Sequence, residues 1–210
     1  MDYLSGIMLE VLRFFYAIGG HNYGLAIIWL TIAVNIALYP LTLSSIQQMA
    51  AMQNIQPRMQ ELQKKYKDDP KKQQQELMDL YKAEGVNPLG GCLPVLLKIP
   101  FFLALFFALQ SKEFTQLIGT NAGFLWMGDI AKPDPTYIFA VLIGVSTWLS
   151  QKTMPSAPGQ GAAMLAIMPV FITFISISFP AGVQIYWVVS NVMGWYQQSS
   201  IMKKSKGGKK

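Results

Sequence analysis

The chain is poor in the residues that most chemistry needs. Its 210 residues include one cysteine, Cys92, and one histidine, His21. A single cysteine excludes an internal disulfide, and no CxxC pair or His cluster offers a metal-site spacing. GxSxG, HExxH and glycine-rich phosphate-loop patterns are all missing, so neither covalent catalysis nor a cofactor is expected, and the chain reads as a non-enzyme. Charged residues make up only 13% of the chain, about half the level of an ordinary globular domain. No Asp or Glu lies inside a long apolar run, which argues against a proton-coupled transporter. The N-terminal stretch MDYLSGIMLEVLRFFYAI begins with an acid and shows no small-residue cleavage site behind a basic segment, so it does not read as a cleavable signal.

What is present is apolar sequence in long blocks. The pattern predicts one all-α polytopic membrane domain. Tyr3 to Ile18 is apolar but short, with Glu10 and Arg13 on one helical face, and reads as an amphipathic helix lying in the interface; a poor transmembrane helix is the other reading. GGHNYG is a turn signal. Five spans follow, at about Tyr23 to Leu43, Cys92 to Leu109, Asp134 to Leu149, Ala162 to Phe179 and Val183 to Ile201. All but the first are short for a hydrocarbon layer of about 30 Å, which predicts local thinning of the bilayer. The chain divides as an interfacial helix (1–22), a five-helix core (23–201) and a basic tail (202–210).

Residues 44–84 differ from the rest. Met52, Ile55, Met59, Leu62 and Tyr66 recur at spacings of 3 and 4, a coiled-coil seam. Pro57 is expected to kink this arm or to open its second segment. DDP at Asp68 to Pro70 breaks the helix, and Leu77, Leu80 and Tyr81 begin a second stripe. The two arms predict a helical hairpin standing out from the membrane. With the hairpin in the cytoplasm, most Lys and Arg fall inside and only Arg13, Lys112 and Lys132 fall outside. That bias puts the N-terminal helix outside and the C-terminus inside. The net charge of +6, gathered in the hairpin and the tail, favours an anionic membrane surface or a ribosome as partner rather than free nucleic acid.

Two polar residues interrupt the apolar runs. Asn35 sits in LAIIWLTIAVNIALYPLT, and Lys98 sits in LPVLLKIPFF. Each lies about eight residues from the cytoplasmic end of its span, roughly 12 Å deep. Two polar groups at one depth on consecutive spans predict a shared hydrophilic pocket open to the cytoplasm. An interhelical hydrogen bond from Asn35 and a snorkelling Lys98 are the plainer readings.

LTIAVNIALYPLT, IQQMAAMQNIQPRMQELQKKYKDDP, ELMDLYKAEGVNPLGGCLPVLLKIPFFLAL and FPAGVQIYWVVSNVMGWYQQ together resemble the YidC/Oxa/Alb family of membrane-protein insertases. The resemblance covers nearly all of Tyr23 to Ile201, and LYKAEGVNPLGGCLP is its most specific block. It implies a multi-pass protein of the bacterial plasma (inner) membrane, of the short form. It also implies an insertase and chaperone function without nucleotide hydrolysis. A hydrophilic groove, open to cytoplasm and lipid, would receive the polar part of a nascent membrane protein and release its apolar segment into the bilayer. An assembly factor that binds already inserted helices, or a small channel, stands as the alternative.

The family pattern T-x-x-V-R in the first core span reads Thr31-Ile32-Ala33-Val34-Asn35 here. The arginine is missing, while Lys98 stands where the family usually has Gln. The groove charge is therefore expected to have moved from the first span to the second. By matching motif, the resemblance carries over Thr31, Gln151, Tyr186 and Trp187 as groove residues and Ile99 and Phe102 as apolar substrate contacts; for the aromatic residues, bundle packing is the other reading. The hairpin, through Met52, Met59, Lys64 and Lys65, is expected to meet substrate and partner. Lys203, Lys204, Lys206, Lys209 and Lys210 of the tail, read as flexible, are expected to meet the ribosome or anionic lipid. Nascent membrane proteins, membrane lipids, the Sec translocon, the ribosome and the signal recognition particle receptor are the implied partners.

Overall fold

The computed structural model describes residues 2–87, 93–119, 122–153 and 162–207. They form nine helices: α1 (Asp2–Ile18), α2 (Tyr23–Ala37), α3 (Tyr39–Lys65), α4 (Pro70–Ala83), α5 (Leu93–Leu109), α6 (Lys112–Ile118), α7 (Ile138–Thr153), α8 (Ala162–Ser176) and α9 (Ala181–Gly207). Only two isolated β-bridges, Phe124 with Met127 and Pro133 with Pro180, add to them.

Helix α9 is the axis of the bundle, packing against α2, α3, α5 and α7. The main core fills the space between α1, α2, α5, α6 and α9 with Leu12, Ile27, Leu105, Leu109, Phe114, Ile130, Val183 and Ile185, all fully buried. Helix α8 leans on α7, and Gly144 makes that approach possible. A Cβ there would lie 2.0 Å from Thr173 Oγ1, a hydroxyl already committed to Pro169 O at 2.8 Å.

The apolar helices α2, α5, α7 and α8 have 15, 17, 16 and 15 residues, roughly 22–26 Å at 1.5 Å per residue. Among the described residues no single helix is long and apolar enough to cross a membrane, but the bent pair Tyr3–Ile18 and Tyr23–Ala37 is, with 108° between its parts. Large apolar side chains cover the outside of α5, α7 and α8: Leu96, Leu103, Phe107, Val141, Val145, Val170 and Phe174 are exposed. Helix α1 buries Met8, Leu9 and Leu12 against the bundle and turns Tyr3, Leu4, Ile7, Phe14 and Ile18 outward.

The hairpin forms as its seam spacing predicts. Ile55 and Met59 of α3 pack with Val86, and with Met52, Leu77, Leu80 and Tyr81 around them. Asp69 caps α4, accepting from Lys72 N at 3.1 Å, and Pro70 occupies the first turn, where its missing N–H costs nothing. An exposed Arg58–Glu84 ion pair joins the arms, and Asn87 N donates to Gln48 Oε1 at 3.2 Å.

Several boundaries differ from the expectation. The first arm starts at Tyr39, not residue 44, because α2 breaks at Leu38 and Pro40 opens α3. Pro57 lies inside α3 without ending it. Helix α7 starts at Ile138, four residues later than expected, because Asp134 is drawn into capping the turn before it. The tail is not wholly irregular: α9 continues to Gly207. Lys203, Lys204 and Lys206 fall on this helix, while Lys209, Lys210 and Cys92 lie outside the described residues.

The end of the bundle away from the hairpin is closed by residues 122–137 folded over α2 and α9. Asn22 Nδ2 donates to Gly123 O at 3.0 Å. Ala181 N and Gly182 N donate to Lys132 O and Ile130 O at 2.8 and 2.9 Å. At its centre Asp134 is 1% exposed.

Candidate functional site: a half-buried lysine in an open groove

On α2, Thr31 Oγ1 donates to Ile27 O at 2.6 Å, and Asn35 Nδ2 donates to Thr31 O at 2.8 Å. These back-bonds one turn apart use the Thr31 hydroxyl proton and one N–H of the Asn35 amide. They leave the Asn35 carbonyl oxygen as an acceptor facing α5. Lys98 of α5 supplies the partner: its Nζ donates to Asn35 Oδ1 at 2.8 Å and to Ser190 Oγ of α9 at 3.3 Å. The ammonium is therefore held by α2 and α9 together. An ammonium has three donors, so one N–H remains for something else.

This lysine lines a cavity of about 510 Å³ formed by α3, α5, α7 and α9. Ile99, Phe102, Tyr186 and Trp187 line it too. Phe102 is the hub of an aromatic cluster, with its ring centroid 5.4 Å from Trp187, 5.8 Å from Phe179 and 6.5 Å from Tyr186. The other expected groove residues are placed differently. Thr31 and Asn35 are fully buried behind Lys98, and Gln151 is not on the cavity wall, although its neighbour Ser150 is. Sequence reasoning missed Thr42, Ser45 and Met49 of α3 and Ser190, Asn191, Gly194 and Gln198 of α9, all on the cavity wall. Apart from the adjacent Ser190 and Asn191, spacings of 3 and 4 mark one face per helix and could have revealed them.

The polar wall continues beyond Lys98. Asn191 Nδ2 donates to Ser146 Oγ at 3.1 Å and to Thr147 Oγ1 at 3.0 Å, tying α9 to α7. Several buried polar atoms have no hydrogen-bond partner: Tyr186 OH, Gln151 Oε1, Gln184 Oε1, Gln197 Oε1 and Gln198 Nε2.

The hairpin residues divide. Lys64 and Lys65 are exposed at the end of α3, where the ammoniums of Lys65 and Lys72 lie 5.3 and 5.2 Å from the Tyr66 ring centroid. Met59, expected as a surface contact, is 2% exposed and packs between the arms; Met52 is half-buried in the same seam. The seam spacing that places them there also takes them from the surface.

Among the described residues no group of His, Cys, Asp or Glu could hold a metal ion.

Comparison with known proteins agrees with this architecture. Residues 14–209 match the family model described as 60Kd inner membrane protein. The membrane protein insertase YidC of Geobacter metallireducens is 43% identical over 202 residues, which is 95% of this chain and 37% of that protein. The YidC of Shewanella halifaxensis is 41% identical over 204 residues, 95% of this chain and 36% of that protein. The chain thus spans little more than a third of the length of these relatives. A crystal structure of an active YidC insertase with its first transmembrane domain resolved superposes with a TM-score of 0.75 at 26% identity, over 93% of this chain and 45% of that one. With the family model matched over most of its length, the chain belongs to the 60Kd inner membrane protein family.

Proposed function

We propose that the chain is a membrane-protein insertase and chaperone of the bacterial inner membrane, and that Lys98 supplies the charge of its groove. The observation that carries this reading is the Lys98 ammonium, fixed by Asn35 and Ser190 at the wall of an open cavity with apolar and neutral polar lining. A cation held there is costly in lipid and is expected to face a wet interior or a ligand. Its spare N–H suits a carboxylate or a carbonyl in the polar tail of a substrate.

The topology proposed has five spans, with α1 in the outer interface, the hairpin and the end of α9 in the cytoplasm, and the capped end facing outside. The positive-inside bias supports it. In this arrangement the polar tail of a nascent chain enters the groove from the hairpin side. The substrate's apolar segment moves against the exposed apolar faces of α5 and α8 and into lipid. Burial of that segment drives the step, at roughly 25 cal/mol per Å², so no nucleotide is required. In this reading Lys64 and Lys65 of the hairpin and the tail lysines meet anionic lipid or the ribosome, and the hairpin meets the Sec translocon or the signal recognition particle receptor.

The relocated charge has a simple electrostatic logic. Asn35 Oδ1 accepts from Lys98 at 2.8 Å. An arginine at position 35 would set two cations at that spot, which at about 4 Å costs up to about 4 kcal/mol at an effective dielectric of 20. Either position can hold the charge, but not both.

The test is insertion of a single-span substrate with a short acidic tail into liposomes free of Sec, read by protease protection. The parent inserts it, Lys98→Gln does not, and Lys98→Gln with Asn35→Arg regains insertion. If Lys98→Gln inserts as well as the parent, the charge has no role and the groove acts by hydration. No insertion by the parent, with controls working, favours an assembly factor instead.

A further inference from the structure

We propose that one face of α9, Tyr186, Ser190, Gly194 and Gln198, is a track that binds the peptide backbone of an extended polar segment of the substrate. The proposal rests on the insertase reading and specifies what the groove recognises beyond the charge at Lys98.

The four residues recur every fourth position, so they align along one face of the helix, and all four line the cavity. The two ends of the row carry buried polar atoms without partners. Tyr186 is 5% exposed with its hydroxyl unpaired, and Gln198 is 4% exposed with its Nε2 unpaired. Buried polar atoms in folded proteins almost always have partners, so a row with unpaired atoms at both ends is built for a ligand. Between them Gly194 leaves room: a Cβ there would meet nothing within 4 Å.

The chemistry of the row selects the ligand. Hydroxyl and amide groups are neutral and both donate and accept. They match the backbone N–H and C=O that every residue except proline carries, and they make no demand on side-chain charge. A helical segment would satisfy those groups internally and leave Tyr186 and Gln198 unpaired. An extended segment presents them. Tyr186 to Gln198 spans roughly 18 Å of helix axis, enough for about five extended residues. Lys98 touches Ser190 within this row, so a substrate carboxylate would lie along the track, with neighbouring residues held by backbone.

Register distinguishes the two conformations. Ser190 and Gln198 stand about 12 Å apart along the axis. Ser190→Cys and Gln198→Cys would each be oxidised against ribosome-stalled substrates carrying one cysteine, moved along the tail residue by residue. The parent, whose only cysteine is Cys92, gives the background. The tail positions that pair best with the two sites should differ by three or four residues, as an extended chain requires. A difference of about eight means a helical occupant and overturns the track. So does insertion by both cysteine variants without pairing above background. Gly194→Leu, whose Cβ meets nothing within 4 Å and which raises helix propensity, should fold as the parent does and lose insertion of polar-tailed substrate. Unchanged insertion in Gly194→Leu also overturns the track. Failure of the parent itself to insert defeats the insertase reading instead, so the two outcomes stay separate.

Discussion

Asp134 and Lys98 are both charged residues in or next to apolar helices, and they are treated in opposite ways. Asp134, at the capped end, is saturated. Its Oδ1 accepts from Trp126 Nε1 at 3.1 Å, Thr136 N at 3.0 Å and Thr136 Oγ1 at 2.7 Å, and its Oδ2 from Phe139 N at 3.0 Å. Lys98, toward the hairpin, has two partners, an open cavity and unpaired buried atoms nearby. A saturated buried charge holds structure together, whereas an undersaturated one is available to a ligand. By this measure the capped end is a structural closure, whereas the groove keeps polar groups open to a ligand.

The largest effect that would sharpen the contrast is Asn35→Arg with Lys98 left in place. It should lower stability by up to about 4 kcal/mol, visible as a fall in Tm in detergent, and adding Lys98→Gln should reverse it. A double variant no more stable than Asn35→Arg alone would break the link between the two positions. Next is Asp134→Ala, which strands the buried Phe139 N–H and the part-buried donors of Trp126 and Thr136. It should cost about 3 kcal/mol and loosen the capped end in hydrogen exchange, with insertion by the remaining folded protein largely kept.

Lys98→Met should be milder for stability, within about 1 kcal/mol, because the cost of burying the ammonium disappears with it. Insertion should nevertheless be lost. If Lys98→Met lowers Tm as far as Asp134→Ala, Lys98 is a structural charge and the contrast fails. The acid response offers a separate check. Burial raises the Asp134 carboxyl, but hydrogen bonds from Phe139, Thr136 and Trp126 outweigh it and hold its pKa below the ordinary value. Its contribution is therefore complete above the unfolded pKa, about 3.9, and is lost as pH falls from there through the folded value. The parent should lose Tm faster than Asp134→Asn below about pH 4; parallel curves would show that the network does not depend on the charge. The smallest effect belongs to the exposed Arg58–Glu84 pair. Arg58→Ala should cost below about 1 kcal/mol and fade with salt. A larger loss would mean that the hairpin hangs on this pair rather than on the Ile55, Met59 and Val86 seam.

Several features were legible because they follow from spacing along one helix. The seam from Met52 to Tyr66 states which side of α3 meets α4. Pro70 after Asp69 states where α4 begins. Asn35 and Lys98 were paired by counting residues from the helix ends, and their 2.8 Å contact follows that count. The Asp134 network was not legible, because its four bonds come from Trp126, Thr136 and Phe139 in a turn with no repeating period. The wall of α9 was half legible. Tyr186 and Trp187 stand out as aromatics, while Ser190, Gly194 and Gln198 look ordinary until the cavity is seen beside them.

By itself the sequence determined the helices, the hairpin, the direction of the charge bias and the pairing of the two polar residues. Each of these depends on local periodicity, helix breakers and the cost of placing polar groups in apolar runs. Only the tertiary structure decided that Thr31 turns its hydroxyl to its own backbone, that Met59 is buried, that Ser190 shares the Lys98 ammonium, and which polar atoms are left without partners. Those outcomes depend on how helices far apart in the chain meet, and the rotation of each helix about its axis is set by packing rather than by its own residues.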